Sequence, residues 1–276
     1  MVRQFFVAAV ASLMFASTPT FAQSAPNDID KQVGELHWAR AGQTGDLTGK
    51  ANFKVSEAYT FLAADDTDKF LKLNGNLPHH GAVTIAPTKG NWFGILSFSP
   101  EGYVKDDETI DAAALLETLK KNNVLGNEER TKQGYPTMEL EGWALAPRYD
   151  RANKRLEWGT LLRSQDNTKV INVSTRILGR SGYTSAILVT SANSLDADLQ
   201  DFKTALKDFD YVSGEKYSEW REGDKVAAYG LGALVLGGAA AAVASKGGFK
   251  AIGLAIMAVV GAAWAGMKKL IARRKT

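Results

Sequence analysis

The residues of this sequence best suited to chemistry are Arg130, Arg148, Arg176 and Arg180, with Tyr135, Tyr149 and Tyr183 among them. A guanidinium is a rigid fork of N–H donors that matches the paired oxygens of a carboxylate or phosphate. Arg176 and Arg180 have the same parity, which on one extended strand points them to one face. Tyr103, Asp106 and Asp107 complete a set of ligand-binding candidates: Tyr103, Asp106, Asp107, Arg130, Arg148, Tyr149, Arg176 and Arg180. The competing and preferred reading of the arginines is structural, as salt bridges to Asp106, Asp107, Glu128 or Asp150.

Other reactive types are sparse. Asp106-Asp107-Glu108 offers oxygen ligands for a hard cation, but lacks the alternating ligands of a calcium loop. It reads as a solvated turn leading into a helix. His79-His80 follows Pro78, and adjacent imidazoles rarely share one metal; no carboxylate is close in sequence. His37 stands alone. There is no cysteine, which removes thiolate catalysis and thiolate metal sites. Gly-x-Ser-x-Gly, His-Glu-x-x-His and a phosphate loop are all missing. The sequence therefore leans away from an enzyme, with no catalytic residue, metal or cofactor assigned.

The elements that must position these groups are legible from periodicity. Phe53 and Val55 suggest a short strand, and Thr67 to Leu73 a short helix capped by Asp65 or Asp66. Val83 and Ile85, then Trp92 to Phe98, predict two strands joined at Pro87-Thr88-Lys89-Gly90. Ala112, Leu115, Leu116 and Leu119 fall at i, i+3, i+4 and i+7, an amphipathic helix with Asp111 in its first turn and Lys120 and Lys121 in its last. After Pro136 the period becomes two. Met138 and Leu140, then Leu156 to Leu162, Ile171 to Ile177 and Ser185 to Val189 predict a four-stranded antiparallel meander. Leu195, Leu199, Phe202 and Leu206 form the stripe of a second helix, capped by Asn193 or Ser194. Strands, helix, strands, helix imply an α+β fold, an antiparallel sheet with packed helices.

The chain ends read differently. Arg3, the apolar run Phe5 to Ala16 and Thr20-Phe21-Ala22 have the pattern of a signal peptide over 1–22. Gln23 to Lys31 is polar and reads as a flexible mature N-terminus. Val226 to Ser245 and Ala251 to Met267 are uncharged runs of membrane-spanning length around the turn Lys246 to Lys250, followed by the basic tail Lys268 to Thr276. They predict a C-terminal transmembrane helical hairpin behind an exported domain over 23–225. Seven basic residues lie after Val226 and one is Arg3, so 25 basic residues face 30 acidic ones in that domain, a net of −5. Nucleic acid is excluded as a partner, since binding it needs a basic footprint. The expected location is the bacterial inner membrane with the soluble domain in the periplasm. The expected partners are the lipid bilayer and either an envelope protein or a second copy of the chain.

Five stretches are dense in Gly, Pro, Arg, Tyr and Trp. They are Gly102 to Glu108, Asn127 to Pro136, Gly142 to Asp150, Thr175-Arg-Ile-Leu-Gly-Arg-Ser-Gly-Tyr183 and Gly223 to Leu231. In this order they resemble the bacterial family called domain of unknown function 2167, uncharacterised membrane-anchored proteins, from about Leu47 onward. The resemblance implies a membrane-associated envelope protein and supplies no reaction. The chain departs from it at Asn172-Val173-Ser174, where Asn-Tyr-Asn is expected, and at Lys154, where a His is expected. The element order also looks like the Mog1/PsbP-like sandwich, a likeness that carries no function. Three functions remain open: a membrane-anchored binding or interaction module, an envelope hydrolase or lyase using an Arg/Tyr/Asp cluster, and a pore or assembly protein acting through its Gly/Ala-rich hairpin.

Overall fold

A computed structural model describes residues 26–74, 78–132 and 136–237. The signal peptide, Tyr135, the hairpin beyond 237 and the basic tail lie outside the described residues. The fold is α+β and built on antiparallel sheets. A seven-stranded sheet runs in the order β3-β4-β5-β9-β8-β7-β6. Its strands are β3 (Tyr59–Leu62), β4 (Val83–Pro87), β5 (Phe93–Ser99), β6 (Met138–Asp150), β7 (Arg155–Ser164), β8 (Lys169–Leu178) and β9 (Tyr183–Ser191). The meander β6 to β9 follows from strict alternation. Ile171, Val173 and Ile177 enter one core cluster, while Val170 and Leu178 enter another.

One face of this sheet carries helix α4 (Leu195–Ala205) and a small sheet in the order β1-β2-β10, from β1 (Thr44–Leu47), β2 (Ala51–Lys54) and β10 (Phe209–Tyr211). Phe202 of α4 is fully buried there, edge-on to Trp92 with ring centres 5.4 Å apart. The other face carries α2 (Ala64–Leu73) at one end, and α3 (Ala112–Lys132) with α5 (Leu231–Leu236) at the other.

Helix α3 starts where Asp111 accepts hydrogen bonds from the N–H groups of Ala113 and Ala114, both at 3.0 Å. Asp111 is thus its cap, a common role for Asp at an orphan N–H end. The helix runs eleven residues beyond Lys121, past polar residues that do not look helical. Those residues have a structural task. The amides of Asn123 and Asn127 each donate to Met138 O at 2.9 Å and accept from Leu140 and Met138 N–H at 3.1 and 2.9 Å. They supply the partners that the open edge of β6 would otherwise lack. Further along, Pro147 and three register shifts keep the rest of that edge irregular.

Two expectations at the N-terminal side are corrected. The segment read as flexible forms α1 (Pro26–Gly34), followed by Trp38, which donates to Val33 O at 2.8 Å and packs on Phe70. The cap of α2 is Ala63, not Asp65 or Asp66. Asp66 instead binds Lys69 at 2.7 Å and both the N–H and ring of His37 at 2.9 and 2.8 Å. The Lys69 hydrogen bond, helped by His37, outweighs burial and holds the Asp66 carboxyl down to about 2. A depressed folded-state value stabilises above the unfolded value, about 3.9, and that contribution is lost as pH falls through the folded one. The melting temperature is therefore expected to drop between pH 4 and pH 2, and Asp66→Asn to flatten that slope. An unchanged slope in thermal melts of the variant would remove Asp66 from the explanation.

The largest correction concerns the C-terminal side. Val226 to Gly237 does not begin a membrane span. Val226 pairs as a bridge with Tyr103, and Ala227 N–H donates to Tyr103 O at 2.9 Å. The chain then forms α5, only six residues long, and stops at Gly237 with φ +112°. Leu231, Leu234 and Val235 of α5 are buried against α3 and the sheet, at 1% exposure or less. Among the described residues no helix is long and apolar enough to cross a membrane. The transmembrane hairpin is withdrawn from the fold. With it go the lipid bilayer as a partner, the inner-membrane and periplasmic location, and the membrane-anchored and pore functions that rested on it.

Candidate functional site

The sequence candidates do not gather into one site. Arg130 sits on α3, buried, with Nε donating to Pro136 O at 2.6 Å. Arg176 is in β8, buried on the α3 side of the sheet, and Arg180 lies beyond the end of that strand in a turn. They do not share a strand face as their parity predicted. Arg180 grips Asp224 with two bonds, at 2.7 and 2.8 Å, and donates to Gly214 O at 3.2 Å. Structural ion pairing does hold for Arg148 and Arg180, but with Glu157 and Asp224 rather than the four acids expected.

Arg176 has a different environment. Its Nη1 donates to Ser185 Oγ at 2.7 Å, and its guanidinium lies 4.8 Å from the Trp158 ring centre and 5.7 Å from that of Tyr183. Burial pushes its pKa down, because the charge has lost its water. The two aromatic faces return part of that solvation as cation–π attraction.

A second cluster forms around Asp106, which accepts from Tyr149 Oη and Lys154 Nζ, both at 2.9 Å. Lys154, at the position where a His was expected, is in the left-handed region with φ +54° at the β6–β7 turn. Burial alone would raise the Asp106 pKa, but hydrogen bonds from Lys154, Tyr149 and Tyr217 lower it. Burial first, then the Asp106 carboxylate, raises that of Tyr149. Burial, then Tyr103 and Asp106, raises that of Tyr217. A fully ionised, saturated carboxylate is a poor general base at neutral pH. Tyr103 stacks on Tyr217 with ring centres 4.4 Å apart. Asp107 is exposed, and Glu108 accepts from Gly232 N–H at 2.9 Å, so the three acidic residues go to separate partners. Asp106, Arg130, Arg148 and Arg176 occupy separate environments, and the Arg/Tyr/Asp catalytic cluster is not formed.

Sequence reasoning also missed a constellation. A groove of about 750 Å³ lies between the β6–β7 hairpin and the C-terminal end of α4. Arg148, Arg155, Lys203 and Lys207 line it against Asp150 and Glu157, with Thr175 also in its wall. Cross-strand register explains the grouping: Arg148 faces Glu157, Asp150 faces Arg155, and Glu157 faces Thr175. Alternation sends Leu156 and Trp158 to the opposite face, so Arg155 and Glu157 must share this one. Lys203 and Lys207 are at i and i+4 at the end of α4. Arg155 Nη2 donates to Leu206 O at 2.9 Å, which fixes the guanidinium at the helix end. Burial lowers its pKa, offset by Asp150 and Glu157. Two buried polar atoms of these lining residues, Arg155 Nε and Thr175 Oγ1, have no hydrogen-bond partner. A smaller cleft of about 280 Å³ at Lys50, Arg180 and Lys225 differs: Lys50 and Arg180 are already paired with Glu215 and Asp224.

Comparison with known proteins places the chain. Residues 39–268 match the family described as Protein of unknown function (DUF2167). The chain belongs to this family. No curated protein matches the DUF2167 chain. Among solved structures it is similar to the solution structure of cyanobacterial PsbP (CyanoP) from Synechocystis sp. PCC 6803. The identity is 14% and the TM-score 0.35, over 61% of this chain and 91% of that one. At that level the likeness carries no argument about the fold or activity of the DUF2167 domain.

Proposed function

We propose that this domain binds a compact polyanion, bearing phosphate or carboxylate groups, in the groove between the β6–β7 hairpin and α4. The observation that supports this most is the pair of unpartnered buried atoms, Arg155 Nε and Thr175 Oγ1, in the wall of a groove with four cationic side chains and two carboxylates. Buried polar groups in native proteins are nearly always hydrogen-bonded, and unpaired ones cost about 1–3 kcal/mol. The local excess of positive charge stands in a region of the chain with more acid than base, so it is a property of this place and not of the surface at large. An Arg fork fixed by a backbone carbonyl is preorganised for two-point contact with an anion.

Calorimetric titration of the full-length chain with sodium pyrophosphate tests this. Arg155→Gln, with its melting temperature checked, is expected to weaken binding about 10- to 100-fold, the scale of a charge-assisted hydrogen bond lost. Equal affinity in the two proteins would place the anion elsewhere.

A further inference from the structure

The cations of the groove are not equivalent. Glu157 is buried, and one of its oxygens, Oε2, receives Arg148 Nε at 2.9 Å, Arg148 Nη2 at 2.5 Å and Lys203 Nζ at 3.1 Å. Three donors from two side chains on one oxygen is the arrangement that would hold an anionic oxygen of a ligand. Arg155 and Lys207 differ: among the described residues neither makes an ion pair, and the bond from Arg155 goes to a neutral carbonyl. The Arg148 side chain is 59% exposed while that of Glu157 is 10% exposed, so the arginine has freedom to leave and the carboxylate is held in place.

We infer that Glu157 fills the second of two anion subsites, so that the ligand carries two anionic groups, one held by Arg155, Lys207 and Thr175 and the other taking Arg148 and Lys203 from Glu157. This rests on the anion-binding reading above. A ligand with one group gains only the first subsite. A ligand with two must compete with an internal carboxylate already desolvated and bonded, and the groove thereby selects for ligands whose second group is a strong, multiply charged acceptor such as phosphate. Like charges brought together across a site are a common device of selectivity. Glu157 is thus a specificity-determining residue: it competes for Arg148 and Lys203 with the ligand's second group, and only a strong, multiply charged acceptor displaces it.

The test compares sodium pyrophosphate with sodium phosphate at constant ionic strength, by calorimetry on the full-length chain and on Glu157→Gln. The glutamine keeps an acceptor oxygen for Arg148 and Lys203 but removes the charge. The variant is expected to bind pyrophosphate at least about tenfold more tightly, the effect of a single charge contact, with a smaller gain for phosphate. Arg148→Gln, at an exposed side chain, is expected to erase the preference for pyrophosphate over phosphate, and serves alone if Glu157→Gln fails to fold. Binding by the wild type with no gain in Glu157→Gln, or a preserved preference in Arg148→Gln, overturns the second subsite while the groove stands. No anion binding in any of the proteins overturns the groove reading itself.

Discussion

Replacing Leu234 with Ala is expected to destabilise the folded domain by about 2–5 kcal/mol, the range for a leucine removed from a packed core. Leu234 is completely buried, on a six-residue helix wedged against α3 and the sheet. Its neighbours Leu231 and Val235 are as deeply covered, and the segment is tied down by the Tyr103 bridge and by Glu108 at its start. Gly230 permits that tie, since a Cβ there would lie 2.2 Å from the Glu108 carboxylate. If Val226 to Gly237 were the start of a membrane span, Leu234→Ala would leave the melting transition of the domain nearly untouched. Denaturant unfolding followed by tryptophan fluorescence separates the two outcomes. The same packing moves the domain boundary: a chain ended at Lys225 would lose a wall of its core.

Gly182→Ala is expected to be as damaging for a different reason. A Cβ at this position would sit 2.0 Å from the carbonyl oxygen of Ser99 and 2.9 Å from the Phe98 ring. The oxygen belongs to the backbone of β5 at its pairing with β9, where Ser99 faces Tyr183, so no side chain can move aside. The strands themselves must separate, at a cost near or above the top of the roughly 1–3 kcal/mol usual for overpacking. Gly179 is constrained similarly, by the Tyr211 ring at 2.8 Å. The glycines of the Thr175 to Tyr183 motif are therefore explained by close backbone approach, not by a ligand. A melting temperature for Gly182→Ala equal to that of the wild type would contradict this packing.

Much of the architecture was readable because burial on one face imposes a period. The meander strands alternate from Met138 to Val189, and Leu195, Leu199, Phe202 and Leu206 recur at helical spacing, so tertiary packing and local pattern agree. The misreadings share a cause: composition does not say what an apolar or polar run will pack against. Val226 to Gly237 has the uncharged, Ala/Gly/Leu character of the start of a span, yet that is also the character of a small helix buried all round. Asn123 and Asn127 look like helix breakers, and only the open edge of β6 gives their amides a reason to sit on α3. Helix α1 has too little apolar surface to show a stripe. The short strands β1, β3 and β10 hold three or four residues each, too few to establish a period.

The site was half legible. Arg148 stood out as a guanidinium in a motif, but its partners Glu157 and Lys203 belong to another strand and another helix, and no spacing rule joins them. The Arg155-Leu-Glu-Trp158 alternation did contain a usable signal, since Leu156 and Trp158 must face the core and so expel Arg155 and Glu157 to the opposite face. What could not be read was that α4 would end there, delivering Lys203 and Lys207 to the same groove. Arg176, one of the four motif arginines, proved to be a cation enclosed by Trp158 and Tyr183.

The most direct measurement is a backbone amide chemical-shift titration of the full-length chain with sodium pyrophosphate. The expected result is saturable shifts confined to Arg148 to Glu157, Thr175 and its strand neighbours, and Lys203 to Asp208, surrounding the groove. Shifts centred instead on Lys50, Arg180 and Lys225, or no saturable shift at all, would contradict the assignment of this groove as the anion site.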